Sequence, residues 1–207
     1  MTLIMNLTKT PRYKNIFTDE YENTPGKNIV LIEKYFRWGM AREEGTYACD
    51  TLEEWCGVPE SELPHKYVVN YYRDHFSLHK TYSEIGGEIE RHGIFEHLAR
   101  IVKANQILQW FVSNVMNNNL DMELHIVRKE QFEELLAVCD KVVKGNVVNV
   151  EAAKELLPIM EDQGYFFGTD KYNEVYAEQV ISMVEIIKNI LATTDFEKEA
   201  VYFNSVW

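Results

Sequence analysis

The sequence predicts an α+β protein dominated by helices, with a small, mostly antiparallel sheet packed against long helices. Three observations carry that reading. Apolar residues recur at three- and four-residue spacing in two long stretches, 94–117 and 169–192. Both chain ends read as strands: Leu3, Met5 and Leu7 alternate with Ile4, Asn6 and Thr8, and residues 200–207 (AVYFNSVW) are rich in strand formers. Apolar residues make up 46% of the 207, enough for a real core and too many for a disordered chain.

Taken in order, the first strand ends at Pro11. Residues 12–28 are polar and turn-rich, broken most clearly at Asn23-Thr24-Pro25-Gly26. Residues 28–37 read either as a strand starting at Ile29 or as a helix with Ile29, Ile32, Tyr35 and Phe36 inward, and the helix is adopted. Thr51 with Glu54 three residues on forms a capping-box pattern for a short helix through Trp55. Pro59 and Pro64 bracket an irregular connection. The aromatic-dense stretch 68–82 is expected to be helical, and Gly86-Gly87 and Gly93 punctuate the approach to Ile94.

The stretch 94–117 is expected to form one central helix about six turns long, with Ile94, Leu98, Ile101, Leu108 and Val115 on its apolar stripe. Met122, Leu124 and Ile126 alternate as a strand. Residues 129–144 form a helix with Phe132, Leu135, Leu136, Cys139 and Val142 inward and Gly145 as its C′ residue. Asn149 caps a short helix ending at Pro158. The segment 164–168 (GYFFG) is a short strand or turn, and Thr169 or Asp170 caps a last long helix whose stripe is Tyr176, Val180, Met183, Ile187 and Ile190. With no repeat or low-complexity tract, a single domain over 1–207 is expected.

The balance of 21 basic and 33 acidic side chains leaves a net charge of −12, which repels a phosphate backbone and disfavours general nucleic-acid binding. A local positive pocket for a small anion stays open. No signal peptide is read at the start, and no run approaches eighteen apolar residues, so a cytoplasmic protein without a membrane span is expected. Cys49, Cys56 and Cys139, an odd number without a CxxC pair, read as reduced thiols.

On the expected central helix, Lys103, Gln106 and Trp110 share one face, with Asn105 and Gln109 beside it. A cation, amides and a broad aromatic suit a planar, anionic, nucleotide-like ligand. Phe167 and Thr169, in the glycine-flanked turn before the last long helix, extend that candidate site. The competing reading is structural: these residues seat the helix, with Trp110 in the core and Thr169 or Asp170 as caps. His75 and His79 have a spacing that can hold a metal, but Phe76 stands where an HExxH glutamate would be; His92 and His97 diverge. Glu84, Glu88 and Glu90 form an acidic cluster of the kind that holds magnesium in all-helical nucleotide pyrophosphatases, or else a solvated face. GxSxG, P-loop and GxGxxG motifs are absent from the sequence. No catalytic residue, metal ligand or cofactor is therefore assigned.

Five groups of residues carry a resemblance: Lys103-Ala-Asn-Gln-Ile-x-x-Trp-Phe-Val-x-Asn-Val115; Glu130-Gln-x-Glu-Glu-Leu-Leu136 with Cys139; Leu156-Leu-Pro158; Gly164-Tyr-Phe-Phe-Gly168 with Tyr172 and Glu174; and Val201-Tyr-Phe-Asn-Ser-x-Trp207. With Leu3-x-Met5-x-Leu7, the chain resembles a family of small phage and prophage proteins. Its members open on a Gly-Leu-Asp-Met-Tyr-Leu strand, carry a Lys-Ala-Asn-x-Ile-x-x-Trp-Phe-Val helix and end in Tyr-Tyr-Gln-Ser-x-Trp. The likeness covers both termini and the chain from Lys103 onward, and is poor over 12–92. Thr2 and Ile4 depart from the family's Gly and Asp. Arg128 stands where a Ser cap is usual, a loss of about 1 kcal/mol of helix stability that packing can offset.

The resemblance implies a viral origin, in the host cytoplasm. The expected function is a non-enzymatic binding protein, an inhibitor of host anti-phage defence that sequesters a small nucleotide-derived signal between subunits of a homo-oligomer. The alternatives are a metal-dependent nucleotide hydrolase using the Glu84–Glu90 cluster or His75/His79, and a module that binds a host protein through 66–82.

Overall fold

A computed structural model of the chain describes residues 2–44, 54, 57–82, 88–160 and 165–207. The fold is α+β. The described residues contain six α-helices, a four-stranded mostly antiparallel sheet and three two-stranded sheets. In chain order these are β1 (Ile4–Pro11), β2 (Tyr13–Lys14), β3 (Tyr21–Glu22), α1 (Gly26–Glu44), α2 (Lys66–Arg73), β4 (Ser77–Tyr82), β5 (Glu88–Gly93), β6 (Glu96–Val102), α3 (Asn105–Asn114), β7 (His125–Val127), α4 (Lys129–Val142), β8 (Val143–Lys144), β9 (Val147–Val148), α5 (Val150–Leu156), α6 (Glu174–Thr193) and β10 (Glu199–Val206). The main sheet runs β6-β1-β10-β7. Its two middle strands are therefore the first and last of the chain. They run in opposite directions: Asn6 meets Asn204, while Arg12 N–H, further along, donates to Lys198 O.

The chain divides into two compact units, one of Met1–Thr8, Leu98–Phe196 and Val201–Trp207, the other of Lys9–His97 and Glu197–Ala200. In the first, alternation on β1 buries Leu3, Met5 and Leu7, as the sequence pattern requires. These join Ala99 and Ile101 of β6 and Val201 and Phe203 of β10 under a helical layer. Phe111 of α3 stacks on Phe203 with ring planes 6° apart and centroids at 4.0 Å, joining helix to sheet. Of the stripes expected, Phe132, Leu135, Cys139 and Val142 on α4 and Tyr176, Val180, Met183, Ile187 and Ile190 on α6 are buried, Leu136 only partly, and α4 packs along α6. Burying each such side chain stabilises the fold by about 1.5–3 kcal/mol.

Five local expectations need correction, the first being the strand expected from Met122, which is confined to His125–Val127 with Val127 rather than Ile126 buried. The stretch 94–117 is not one helix: Glu96–Val102 is strand β6, and only Asn105–Asn114 is helical. Within β6 the buried Ala99 and Ile101 alternate with half-buried Leu98 and Arg100, a period of two that the helical spacing of Ile94, Leu98 and Ile101 disguises. The stretch 68–82 likewise splits into α2 and strand β4. Gly145 (φ 61°) turns the β8–β9 hairpin rather than ending α4. The cap of α6 is Asn173, whose Oδ1 accepts Tyr176 N–H at 3.2 Å, not Thr169 or Asp170. The helix over 28–37 and the Asn149 cap of α5 are as expected. Thr51, Trp55, Gly86 and Gly87 lie outside the described residues. At Arg128, Gln131 bends back to accept the Arg128 N–H at 2.9 Å and donates to Asn114 O, so a side chain three residues on ties down the start of α4.

The second unit is held by buried polar groups. Tyr72 Oη donates to Pro11 O at 2.8 Å and accepts from Thr24 Oγ1 at 2.9 Å, tying α2 to the end of β1 and the turn before α1. Glu33 accepts the Ile94 N–H at 2.8 Å and pairs with Arg37 at 2.6 Å. Lys9 is buried and lies 3.0 Å from Glu199 and 3.4 Å from Glu96. Burial pulls the Lys9 ammonium down, but hydrogen bonds and charge from Glu199 and Glu96 outweigh it, so its pKa sits above the usual lysine value.

Replacing Lys9 by Met is expected to cost about 1–3 kcal/mol, less than for a fully buried pair because Glu96 and Glu199 keep contact with water. A raised native pKa stabilises the folded state most where the unfolded lysine is still charged. The difference between wild type and Lys9→Met in urea melts should hold from neutral pH towards 10.5 and vanish as pH rises through the native value.

Candidate functional site

The structure brings most of the sequence-predicted ligand residues together, in the first unit, around one backbone turn. Lys103 follows the end of β6 in the left-handed region (φ 56°) and directs the chain from strand into α3. Its N–H donates to Leu3 O at 3.1 Å, and its carbonyl accepts Gln179 Nε2 of α6 at 2.8 Å. Since Gln179 donates there, its Oε1 is the acceptor for Gln106 Nε2 at 2.9 Å, which orients both amides. Asn105 Nδ2 donates to Thr169 O at 3.1 Å, and Thr169 Oγ1 bonds to Lys171 N and O, each at 3.2 Å.

The turn is crowded. Gly168 (φ 131°) forms a bridge to Ala104, and a Cβ on Gly168 would stand 1.9 Å from Lys103 O. Phe167 lies against Trp207, ring centroids 6.1 Å apart. Trp110 is buried in the main core, edge-on to Phe111 at 5.4 Å. The expected face of Lys103, Gln106 and Trp110 turned away from the apolar stripe does not form. Lys103 precedes the helix, while Gln106 and Trp110 are both buried. Among the described residues, Asn105 Oδ1 and Gln106 Oε1 have no hydrogen-bond partner. Gln179, which sequence reasoning missed, joins the cluster from α6, where its place beside Val180 marks the border of the apolar stripe.

The other candidates separate. His75 lies in the turn after α2, its Nδ1 donating to Tyr71 O at 2.9 Å, whereas His79 is in β4 beside Ser77 Oγ at 2.9 Å. They are not one helical turn apart on a common face. Glu84 lies outside the described residues, and Glu88 and Glu90 belong to β5. Among the described residues, no group of three His, Cys, Asp or Glu side chains is gathered as metal ligands would be. Cys139 is buried on α4, where loss of water, reinforced by the neighbouring Asp140 charge, pushes its thiol up to about 12.

Two grooves stand out among the described residues. One, in the first unit, has a volume of about 530 Å³ and is lined by Lys141, Lys144, Val147, Val148 and Leu156 with Asp140 among them. The other lies in the second unit between α1, α2 and the Leu63-Pro64 connection, with a volume of about 310 Å³. Leu31, Ile32 and Val69 floor it, Tyr35 lines one side, and Lys66, Asn70 and Arg73 stand on α2. No lining residue among those described carries a carboxylate, and among the described residues neither Lys66 nor Arg73 is ion-paired. Asn70 and Arg73 are one turn apart, as are Lys66 and Asn70, so the helical period puts these polar heads along one edge. Sequence reasoning marked Tyr35 as inward and 66–82 as a surface for a partner, but not that the two face each other. Comparison with family models, with curated proteins and with solved structures returns no match.

Gly168→Ala should be among the most damaging single changes, lowering stability by about 3 kcal/mol or more, because both the Cβ clash and the backbone angle oppose it. Gln179→Leu should cost about 1–3 kcal/mol by stranding the Lys103 carbonyl, measured by urea denaturation of each variant. In a chain with Cys49 and Cys56 changed to Ser, Cys139 should react with a disulfide reagent only when the protein is unfolded; prompt labelling of the native protein would show the thiol to be accessible.

Proposed function

We propose that the chain is a non-enzymatic binding protein that captures a small nucleotide-derived anion, and that the groove between α1 and α2 is where the ligand sits. One observation carries this reading. In a protein with twelve more acidic than basic groups, two cations without an ion-pair partner among the described residues, Lys66 (its ammonium over the Tyr67 ring) and Arg73, line a groove with an apolar floor and an aromatic side. Lys66 and Arg73 suit phosphate, Arg73 through its planar fork of donors and Lys66 as a point charge. Tyr35 offers a ring for a base to lie against, Asn70 offers an amide to its polar edge, and Leu31, Ile32 and Val69 exclude water beneath it. The volume falls at the small end of ligand sites, which run from about 300 to 1,000 Å³. The Lys103–Thr169 cluster takes the structural role, since its amide donors are used on backbone carbonyls and on one another.

The likeness to small phage and prophage proteins supports the biological half of the proposal. A viral protein that binds a host nucleotide signal without consuming it blunts a defence that depends on that signal. Sequestration of this kind needs affinity and abundance rather than turnover, consistent with a groove that presents donors and an aromatic face.

Calorimetric titration with cyclic nucleotides and ADP-ribose derivatives should give saturable heat for at least one member of the panel. Arg73→Ala and Tyr35→Ala should each weaken that binding by about tenfold or more, with melting unchanged for exposed Arg73 and lowered somewhat for half-buried Tyr35, whose ring packs edge-on against Phe36. The nucleotide should be recovered intact after incubation with magnesium, manganese or zinc. No heat and no thermal shift across the panel would overturn the proposal, and degradation of the nucleotide would replace it with the hydrolase reading.

A further inference from the structure

A rigid apolar tip stands beside this groove, in the same unit. Strands β2 and β3 pair Tyr13 with Glu22 and Lys14 with Tyr21, and the loop between them is locked by its own hydrogen bonds. Asn15 Oδ1 accepts Phe17 N–H at 2.8 Å, Asn15 N–H donates to Glu20 O at 2.9 Å, and Asp19 N–H donates to Asn15 O at 2.9 Å. Lys14 holds Asp19 at 2.8 Å, and Asp19 takes a left-handed angle (φ 62°). The product is a preformed turn that carries two exposed apolar side chains. Ile16 is 62% exposed and Phe17 77%. Phe17 touches the protein edge-on at Tyr67 of α2, ring centroids 5.8 Å apart. Such exposure on an ordered turn costs solvation that contact with another surface recovers.

We infer that the occupant of this tip is a second copy of the chain, with Ile16 and Phe17 of each protomer entering the α1–α2 groove of the other. Charge and apolar character are complementary between the two features. The tip pairs its apolar end with the exposed carboxylate of Glu20, Asp19 being neutralised by Lys14, and the groove pairs an apolar floor with the cations Lys66 and Arg73. Tip and groove also flank the same short helix: Tyr67 meets the tip, and Lys66, Asn70 and Arg73 line the groove. A feature and its complement side by side on one surface are what a two-fold, self-complementary interface needs, since one rotation seats both tips at once. Preordering keeps the entropy cost of docking low. Two such contacts fall in the small-interface class, below about 1,200 Å², so a reversible dimer in the micromolar range is expected. The tip and a bound anion then exclude each other from the groove. This competition rests on the proposed ligand site, whereas the docking does not.

Sedimentation velocity over about 5–200 µM protein tests the docking. Wild type should shift from monomer to dimer with concentration. Phe17→Ser, which removes the tip's ring, and Arg73→Glu, which reverses the groove's charge, should each remain monomeric with unchanged circular dichroism and melting. Mixed together, the two variants should form a heterodimer at the upper concentrations, because one intact tip still meets one intact groove. A wild type that stays monomeric throughout, or a dimer that survives both substitutions, would overturn the inference. Dimer loss on adding a nucleotide that calorimetry shows to bind would support the competition, and a dimer indifferent to that nucleotide would refute it. Tip-dependent dimers without any nucleotide heat would leave the docking standing and the ligand proposal refuted.

Discussion

The first unit depends on a single backbone reversal at Lys103. The chain passes from strand β6 into α3 through one residue of unusual backbone angle. Here that residue is a lysine, at a cost of about 1–2 kcal/mol relative to an ordinary conformation. Everything near it serves to hold the reversal. Leu3 of the first strand takes its amide, Gln179 of the last helix takes its carbonyl, and Gly168 lets a third segment approach closer than any side chain would permit. Three parts of the chain far apart in sequence thus converge on one peptide. Beyond that peptide, α3 can place Phe111 flat on Phe203.

That arrangement explains how the polar residues around Lys103 are used within the fold. Lysine, asparagine, glutamine and tryptophan in succession have the vocabulary of a nucleotide site. Yet the amide donors of Asn105 and Gln179 satisfy backbone oxygens, Gln106 orients Gln179, and Trp110 fills the core. The same vocabulary recurs on α1 and α2 as Lys66, Asn70, Arg73 and Tyr35, there with no carboxylate among the lining residues. The amide donors that are buried and bonded in the first unit have exposed counterparts on α2 of the second.

How much of this was legible in the sequence depends on the length of each signal. The stripes on α4 and α6 persist over several turns, so the buried sets could be named residue by residue. The alternation of Leu3, Met5 and Leu7 was equally plain. The split of 94–117 into β6 and α3 was hidden because a left-handed turn at lysine carries none of the glycine or asparagine marks that announce a break. The buried Ala99 and Ile101 also sit within an accidental three-and-four spacing. In 68–82 the aromatics that suggested one helix fall on both sides of the turn at Asp74-His75. The cap of α6 slipped because Thr169, Asp170 and Asn173 all have capping side chains, and only geometry distinguishes them. The α1–α2 groove was illegible for a different reason: Tyr35 and Arg73 meet by tertiary packing, and no local pattern records it.

The main sheet has one further consequence, for how the molecule comes into being. Its two middle strands are contributed by opposite chain ends, with Asn6 and Asn204 in contact across a separation of 198 residues. A ribosome must extend the chain 198 residues past Asn6 before the inner pair can zip together. Helices such as α4 and α6 can condense during synthesis, but the layer they cover must wait for the final segment. Late closure of this kind lengthens the interval in which strand edges stand open, and it makes β10 decisive for whether the nascent chain reaches its native state.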